Sequence, residues 1–142
     1  MSNALPRCTV DANVILRYLL RDDRKLAEKA RAMWQAVEEG RLVAVCDPVT
    51  LAEVVFVLSS VYGLANGEIA DLLMSLLLSK QVVMSDKERY LHALRLFAHS
   101  VKHFGDACAC ARALDECEGR LYSFDRALSA VQGVDRREEL GS

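Results

Sequence analysis

Short apolar runs and amphipathic segments alternate along this chain, in the order typical of strands and helices in an α/β protein. Residues 8–10 suit a buried strand, and from Val14 onward apolar residues recur at helical spacing. Because strands that alternate with helices form parallel sheets, the pattern predicts a mainly parallel central sheet of four or five strands, flanked by helices. Similar apolar runs predict later strands over residues 42–46, 81–84, 120–124 and, as a short last strand, 131–134.

Capping residues predict where several helices begin. Asp47 followed by Pro48 starts a helix that runs to about residue 62. Asn66 is suited to cap the next helix. Ser85 and Glu88 have the spacing of a capping box, in which each side chain binds a free backbone N–H of the first turn.

The composition indicates one compact domain over residues 1–142, with an ordered core at about 7–135 and short terminal tails. With 142 residues, 52% hydrophobic and 27% charged, the chain is long enough to bury a core. The N-terminus lacks the apolar core of a signal peptide, and no uncharged stretch is long enough to span a bilayer. The five cysteines are odd in number. We therefore expect a soluble cytoplasmic protein with reduced thiols and no membrane partner.

The charge balance gives no global attraction for nucleic acid, because the formal net charge is −2. Basic residues are concentrated between positions 17 and 31, where they also fit an ordinary solvated helix face. A polyanion would have to be attracted locally, and Arg17 and Arg21 are the groups that we expect to contact it.

Two carboxylates stand where a predicted strand gives way to a helix. Asp11 ends the first strand and Asp125 ends the fourth. In open α/β sheets, ligands bind in the crevice at the carboxyl ends of the strands, which makes both residues functional candidates. Asp11, its neighbour Asn13 and Asp125 also fit the simpler role of helix N-caps, and the residues alone leave both readings open.

Glu53 is the only charged residue between Asp47 and Glu68, in a helix that is apolar on nearly every face. Such a helix is expected to be buried, and an unpaired buried carboxylate costs several kcal/mol unless it is neutralised or binds a cation. The alternatives are that Glu53 emerges at a rim and is hydrated, or that it pairs with an arginine.

Four acids are expected at one edge of the sheet: Asp11, Glu53, Asp125 and Asp106, which lies in the first turn of the helix predicted from residue 104. Two carboxylates about 4 Å apart repel by about 4 kcal/mol at an effective dielectric near 20, so a cation must offset the cluster. Oxygen ligands without His or Cys favour Mg²⁺ or Mn²⁺, which suit phosphoryl transfer.

Four short motifs, in order, resemble the PIN domain, and closely the VapC toxins of bacterial toxin–antitoxin pairs. The resemblance covers nearly the whole chain. The motifs are Val-Asp-Ala-Asn-Val-Ile-Leu at 10–16, Thr-Leu-Ala-Glu-Val-Val-Phe-Val-Leu at 50–58, Phe-Gly-Asp-Ala at 104–107 and Tyr-Ser-Phe-Asp-Arg at 122–126.

The resemblance implies a three-layer PIN-like fold and a metal-dependent endoribonuclease that hydrolyses RNA phosphodiester bonds. It also implies a homodimer, inhibited by a small cognate antitoxin that inserts a segment into the active site. Asp11, Glu53, Asp106 and Asp125 would then be the catalytic and metal-binding acids.

Two further residues take roles from the same resemblance. Asn13 would be the polar residue of the Asp-x-Asn start, and Ser123 the hydroxyl residue before the last acid. Many relatives carry another acid two residues after the final Asp, where this chain has Ala127, which favours one metal ion over two.

Two other functions are weighed against a ribonuclease. Phosphatases that open with Asp-x-Asp need an acid at position 13 for proton transfer, and Asn13 does not supply one. A catalytically inactive PIN-like module would bind a protein partner through the same cleft. Retention of all four acids argues against this second alternative.

Overall fold

The computed structural model describes residues 4–141, in which it places five strands, six α-helices and one 3₁₀ helix. Residues 1–3 and Ser142, which belong to the predicted tails, lie outside the described residues. In chain order the elements are β1 (Arg7–Thr9), α1 (Ala12–Leu20), α2 (Arg24–Glu38), β2 (Val43–Val45), α3 (Pro48–Ser60), α4 (Asn66–Leu77), β3 (Val82–Val83), α5 (Lys87–His99), α6 (Phe104–Glu116), β4 (Arg120–Tyr122), the 3₁₀ helix (Arg126–Ala130) and β5 (Asp135–Arg137).

All five strands pair in parallel, in two hydrogen-bonded groups. β1, β2 and β3 lie side by side in that order, with Thr9 opposite Val45 and Val45 opposite Val83. β4 pairs with β5, with Tyr122 opposite Arg137. Helices make the long crossovers that parallel neighbours require. The predicted α/β fold is confirmed, and hydrogen bonding divides its strands into groups of three and two.

The core lies where the helices pack on one another and on the strands. α5 packs against both α4 and α6, and Leu73, Leu94 and Cys110 are fully buried there. Trp34 of α2 is buried and stacks on Tyr18 of α1, with ring centroids 5.5 Å apart. No helix in the described part of the chain combines the length and the apolar character needed to cross a membrane.

The predicted cap of α4 is wrong, although the helix itself is present. Ala65 occupies the N-cap position, and Asn66 is the first helical residue. The Asn66 amide instead donates to the carbonyl oxygens of Phe97, at 3.2 Å, and Lys102, at 3.0 Å. Carbonyls at and beyond the end of a helix lack intrahelical donors, so this long-range pairing takes the amide away from its local role.

The predicted capping box of α5 is also wrong, because the helix begins one residue later than the box requires. Asp86 is the N-cap residue, with φ +58°, and its side chain makes no capping bond. Ser85 is therefore outside the helix. The amine of Lys87, the first helical residue, donates to the Val82 carbonyl at 2.6 Å and ties the helix start to β3.

The predicted last strand over residues 131–134 is wrong. Gly133 has φ +86°, and the Val134 N–H donates to the Val131 carbonyl at 3.1 Å, which makes this segment a turn. The last strand is β5, which is formed by the charged residues Asp135–Arg137 at the start of the predicted C-terminal tail. β5 comes directly after this turn and pairs with β4, and the Asp135 N–H donates to the Gly119 carbonyl at 2.7 Å.

Candidate functional site

Asp11 lies two residues after β1 and is the N-cap of α1. Its Oδ1 accepts a hydrogen bond from the Val14 backbone N–H at 3.1 Å. The residue is exposed, and Oδ2 makes no hydrogen bond with the described residues. Asp11 therefore has the capping role that the sequence allowed, and it also presents a carboxylate oxygen to a ligand.

Asp125 repeats this arrangement after β4. Its Oδ1 accepts from the Ala127 N–H at 3.0 Å and caps the 3₁₀ helix. Ser123 shapes the turn, since its hydroxyl accepts from the Asp125 N–H at 3.0 Å and its carbonyl accepts from the Arg136 guanidinium at 2.8 Å. The carboxylate is thus held by a turn whose backbone is fixed on both sides.

Asp106 lies in the first turn of α6, as predicted, and is half-buried. Its carboxylate and that of Asp125 both act electrostatically on Cys110. Burial raises the pKa of the Cys110 thiol, and the negative charges of Asp106 and Asp125 raise that pKa further. Two acids that are distant in sequence therefore act on one fully buried thiol.

Glu53 is exposed, so the prediction of a buried carboxylate is wrong. The inner side of α3 is covered, whereas its outer side presents Val49, 76% exposed, and Phe56, 66% exposed, on either side of Glu53. An apolar helix is buried only where neighbouring elements cover it. Within the described residues, α3 packs mainly on α1, α4 and α6. The hydrated-rim alternative describes Glu53 correctly.

The four acids are only partly brought together. α3, which carries Glu53, packs on α1, which Asp11 caps, and on α6, which has Asp106 in its first turn. Among residues 4–141, however, no three His, Cys, Asp or Glu side chains are grouped closely enough to hold a metal ion as they stand. Of the four acids, Asp106 and Asp125 are the two that the structure links, through their common effect on Cys110. That all four acids form one metal site stays a prediction.

A cavity of about 710 Å³ opens beside Asp11 between β1, α1 and α2. Asn13 and Arg17 line it, together with the ammonium-bearing side chain of Lys29 and the apolar side chain of Met33. Lys29 was not singled out by the sequence. It belongs to the basic region between positions 17 and 31, and only the packing of α2 on α1 reveals that it faces the same cavity as Asp11.

Arg17 is already paired within the protein. Its guanidinium donates to Asp22 at 2.7 Å, and the hydroxyl of Tyr62, just after α3, donates to the other oxygen of Asp22 at 2.8 Å. The hydrogen bond from Tyr62, and then that from Arg17, lowers the pKa of Asp22. Arg21 is exposed and lines a different cavity, beside Trp34. The structure therefore places Arg17 at the Asp11 cavity and Arg21 away from it.

The donor set fits a hard divalent cation by its chemistry. All four candidate ligands are carboxylates, and oxygen donors are those that Mg²⁺ and Mn²⁺ prefer. Asp11 and Asp125 each use one oxygen for capping, and Oδ2 of each makes no hydrogen bond with the described residues. Capping thus orients each carboxylate and leaves it able to bind a cation.

In this α/β fold, the parallel strands β1 and β4 are each followed by an exposed aspartate that caps the next helix. The PIN domain family model matches residues 8–134, which is most of the chain. The chain belongs to the PIN domain family. Comparisons with curated proteins and with solved structures gave no significant match. PIN domains are generally nucleases, which are hydrolases that act on nucleic acid.

Proposed function

We propose that this protein is a Mg²⁺- or Mn²⁺-dependent endoribonuclease of the VapC type that hydrolyses phosphodiester bonds in RNA. The family match over residues 8–134 supports a nuclease. The observation that carries the proposal is that the charges of Asp106 and Asp125 both raise the pKa of the buried Cys110 thiol, because this links the two motifs that are farthest from Asp11 along the sequence.

Asp106 and Asp125 would hold the ion, with Asp11 and Glu53 completing its ligands. When bound, a divalent ion supplies Lewis-acid stabilisation of the charge that develops on the phosphate. The chain's own contribution is orientation: the Val14 and Ala127 N–H groups fix the carboxylates of Asp11 and Asp125 before substrate arrives. Since Ala127 offers no further acid, one ion is the expected stoichiometry.

Other residues position the site or the substrate. Ser123 supports the turn that carries Asp125, and Asn13 offers an exposed amide beside Asp11. Lys29 and Arg17 would attract phosphate in the Asp11 cavity, although the pairing of Arg17 with Asp22 reduces its share. Arg21 remains a candidate for a more distant phosphate.

We also propose that the protein is a cytoplasmic homodimer controlled by a small cognate antitoxin. The exposed apolar side chains of Val49 and Phe56, on the outer side of α3, support a protein contact, because exposed apolar side chains on one face commonly mark interaction sites. Light scattering of wild type and Phe56→Glu tests the dimer. Conversion of a dimer to a monomer by the substitution supports it, and a wild-type monomer contradicts it.

The proposed chemistry is tested by metal dependence. RNA cleavage by the purified protein is expected to stop in chelator and to return when Mg²⁺ or Mn²⁺ is added. The same ions are expected to raise the Tm, because a ligand that binds only the folded state stabilises it. Equal cleavage in chelator would show that the reaction does not use a divalent metal.

The alternative is a catalytically inactive PIN-like interaction module. The observation that favours it is that no three metal-ligating side chains are grouped within residues 4–141. This alternative expects a stably folded protein whose Tm does not respond to Mg²⁺ or Mn²⁺ and which cleaves no RNA.

A further inference from the structure

Two aromatic side chains are exposed directly beside the acidic site. Tyr122, the last residue of β4, is 53% exposed, and Phe124, two residues later, is 85% exposed. Two residues of extended chain span at most about 7 Å, so the backbone positions that carry the two rings lie within about that distance of each other. Phe124 immediately precedes Asp125. A substrate that reaches the Asp125 carboxylate therefore passes close to these rings.

The backbone that carries the rings is held rigidly. The Ser123 N–H donates to the Arg137 carbonyl at 3.0 Å, and the Arg136 guanidinium donates to the Ser123 carbonyl at 2.8 Å. On the other side of Phe124, the Asp125 N–H donates to the Ser123 hydroxyl. An exposed ring on a fixed backbone is pre-organised for binding, since little backbone entropy is lost when a ligand stacks on it.

Cations flank the two rings. Arg137 stands opposite Tyr122 in the β4–β5 register and pairs with Asp135 at 2.8 Å. Arg120 lies two residues before Tyr122 and pairs with Glu118 at 3.3 Å. Arg126 is exposed just after Asp125 and forms no ion pair with the described residues. Exposed aromatic rings interleaved with guanidinium groups match the chemistry of single-stranded nucleic acid, in which bases stack on rings and phosphates meet cations.

We propose that Tyr122 and Phe124 form a stacking surface for unpaired bases of the RNA substrate, and that Arg126 binds a neighbouring phosphate. This inference rests on the proposed ribonuclease function and adds the side chains that would hold unpaired bases beside the Asp125 carboxylate. In a duplex the base faces are covered by their neighbours, so paired RNA does not use this surface.

Binding is measured without cleavage, in chelator, by fluorescence anisotropy of a labelled single-stranded RNA of about 10 nucleotides. Phe124→Ala is expected to weaken the apparent Kd about tenfold, and Tyr122→Ala by a similar factor, because stacking on one ring contributes on that scale. Leu78→Ala is the matched control. Leu78 is an apolar residue, 64% exposed, at the end of α4, and its removal is expected to leave Kd unchanged.

A second variant reports stacking directly. The only tryptophan, Trp34, is 2% exposed and shielded from RNA, so Phe124→Trp adds a tryptophan that RNA bases reach. Single-stranded RNA is expected to quench its emission, and the same sequence in a duplex is not. Leu78→Trp controls for non-specific quenching. Phe124→Trp should also retain the wild-type Kd, because it keeps an aromatic face.

Two outcomes would overturn the stacking surface. One is an unchanged Kd in Phe124→Ala and Tyr122→Ala, with equal quenching in the two tryptophan variants. The other is dissociation of an oligomer by Phe124→Ala without any loss of RNA affinity, which would assign the rings to a protein interface. Failure of the nuclease proposal looks different: the wild type binds RNA through the rings and cleaves none of it in Mg²⁺ or Mn²⁺.

Discussion

The Asp11 carboxylate accepts a hydrogen bond from the Val14 N–H at 3.1 Å and thereby caps α1, and the same residue lines the cavity between α1 and α2. Substitution separates these two roles. Asp11→Asn keeps a good N-cap, because asparagine caps as well as aspartate, and we expect it to fold stably while losing RNA cleavage. Asp11→Ala is expected to lose cleavage and, in addition, about 1 kcal/mol of unfolding free energy.

Urea denaturation and an RNA cleavage assay on the same preparations measure this pair of variants. If the acids repel one another in the metal-free protein, Asp11→Asn should be at least as stable as wild type. An Asp11→Asn protein that folds normally and cleaves RNA at the wild-type rate would leave Asp11 with the capping role alone.

Gly119, directly before β4, and Gly133, in the turn before β5, pack so closely that a side chain on Gly119 has no room. A Cβ on Gly119, which has φ +84°, would lie 2.1 Å from the Gly133 carbonyl oxygen. Gly119→Ala is therefore expected to destabilise the protein by about 2 kcal/mol or more. At Gly67, in the first turn of α4, a Cβ meets open space, so Gly67→Ala should be neutral or stabilise by up to about 1 kcal/mol. Equal urea midpoints for the two variants would contradict the predicted contact.

The Asp22 carboxylate is expected to make the stability of the fold depend on pH in the acidic range. Its pKa is lowered by the Tyr62 hydroxyl and by Arg17, so its stabilising contribution is present above the ordinary value of 3.8 and is lost as pH falls through the lowered pKa. We expect Asp22→Asn to have a lower Tm than wild type at neutral pH. The difference should shrink as the pH falls below 3.8. A Tm difference that stays constant down to pH 2 would show that Asp22 acts by other means.

The five free cysteines should differ in reactivity. Cys117 is exposed, whereas Cys46 and Cys110 are buried and burial raises the pKa of both thiols. Burial also raises the pKa of Cys108 to about 11, so little of it is thiolate at pH 8. Alkylation followed by peptide mass spectrometry is expected to find Cys117 modified before these three. Modification of Cys110 as fast as Cys117 would mean that α6 opens readily.

Local signals in the sequence were sufficient for some parts of this molecule. Asp125 could be predicted after the fourth strand and Asp106 in a first turn, because both positions depend on neighbours within a few residues. β4 itself ends at Tyr122, two residues earlier than predicted. The capping role of Asp47 at the start of α3 has the same local origin, and its Oδ1 accepts from the Val49 N–H at 2.8 Å. The α/β class followed from alternation of the apolar runs.

Other parts depend on contacts that are distant in sequence. The exposure of Glu53 is decided by which elements cover α3, and composition carries no information on this. Asn66 bonds to carbonyls 31 and 36 residues away, and β5 forms because its backbone meets Gly119. The presence of Lys29 in the Asp11 cavity likewise needs the packing of α2 on α1.

The central claim is that the four acids carry a metal-dependent cleavage of RNA. Its most direct test is the cleavage rate in Mn²⁺ for Asp11→Asn, Glu53→Gln, Asp106→Asn and Asp125→Asn. Asp23→Asn is the matched control, because Asp23 also caps a helix, with its Oδ1 accepting from the Leu26 N–H at 3.1 Å. We predict losses of about 100-fold or more in the four variants and a wild-type rate in the control. Four variants that cleave RNA as fast as Asp23→Asn would contradict the account.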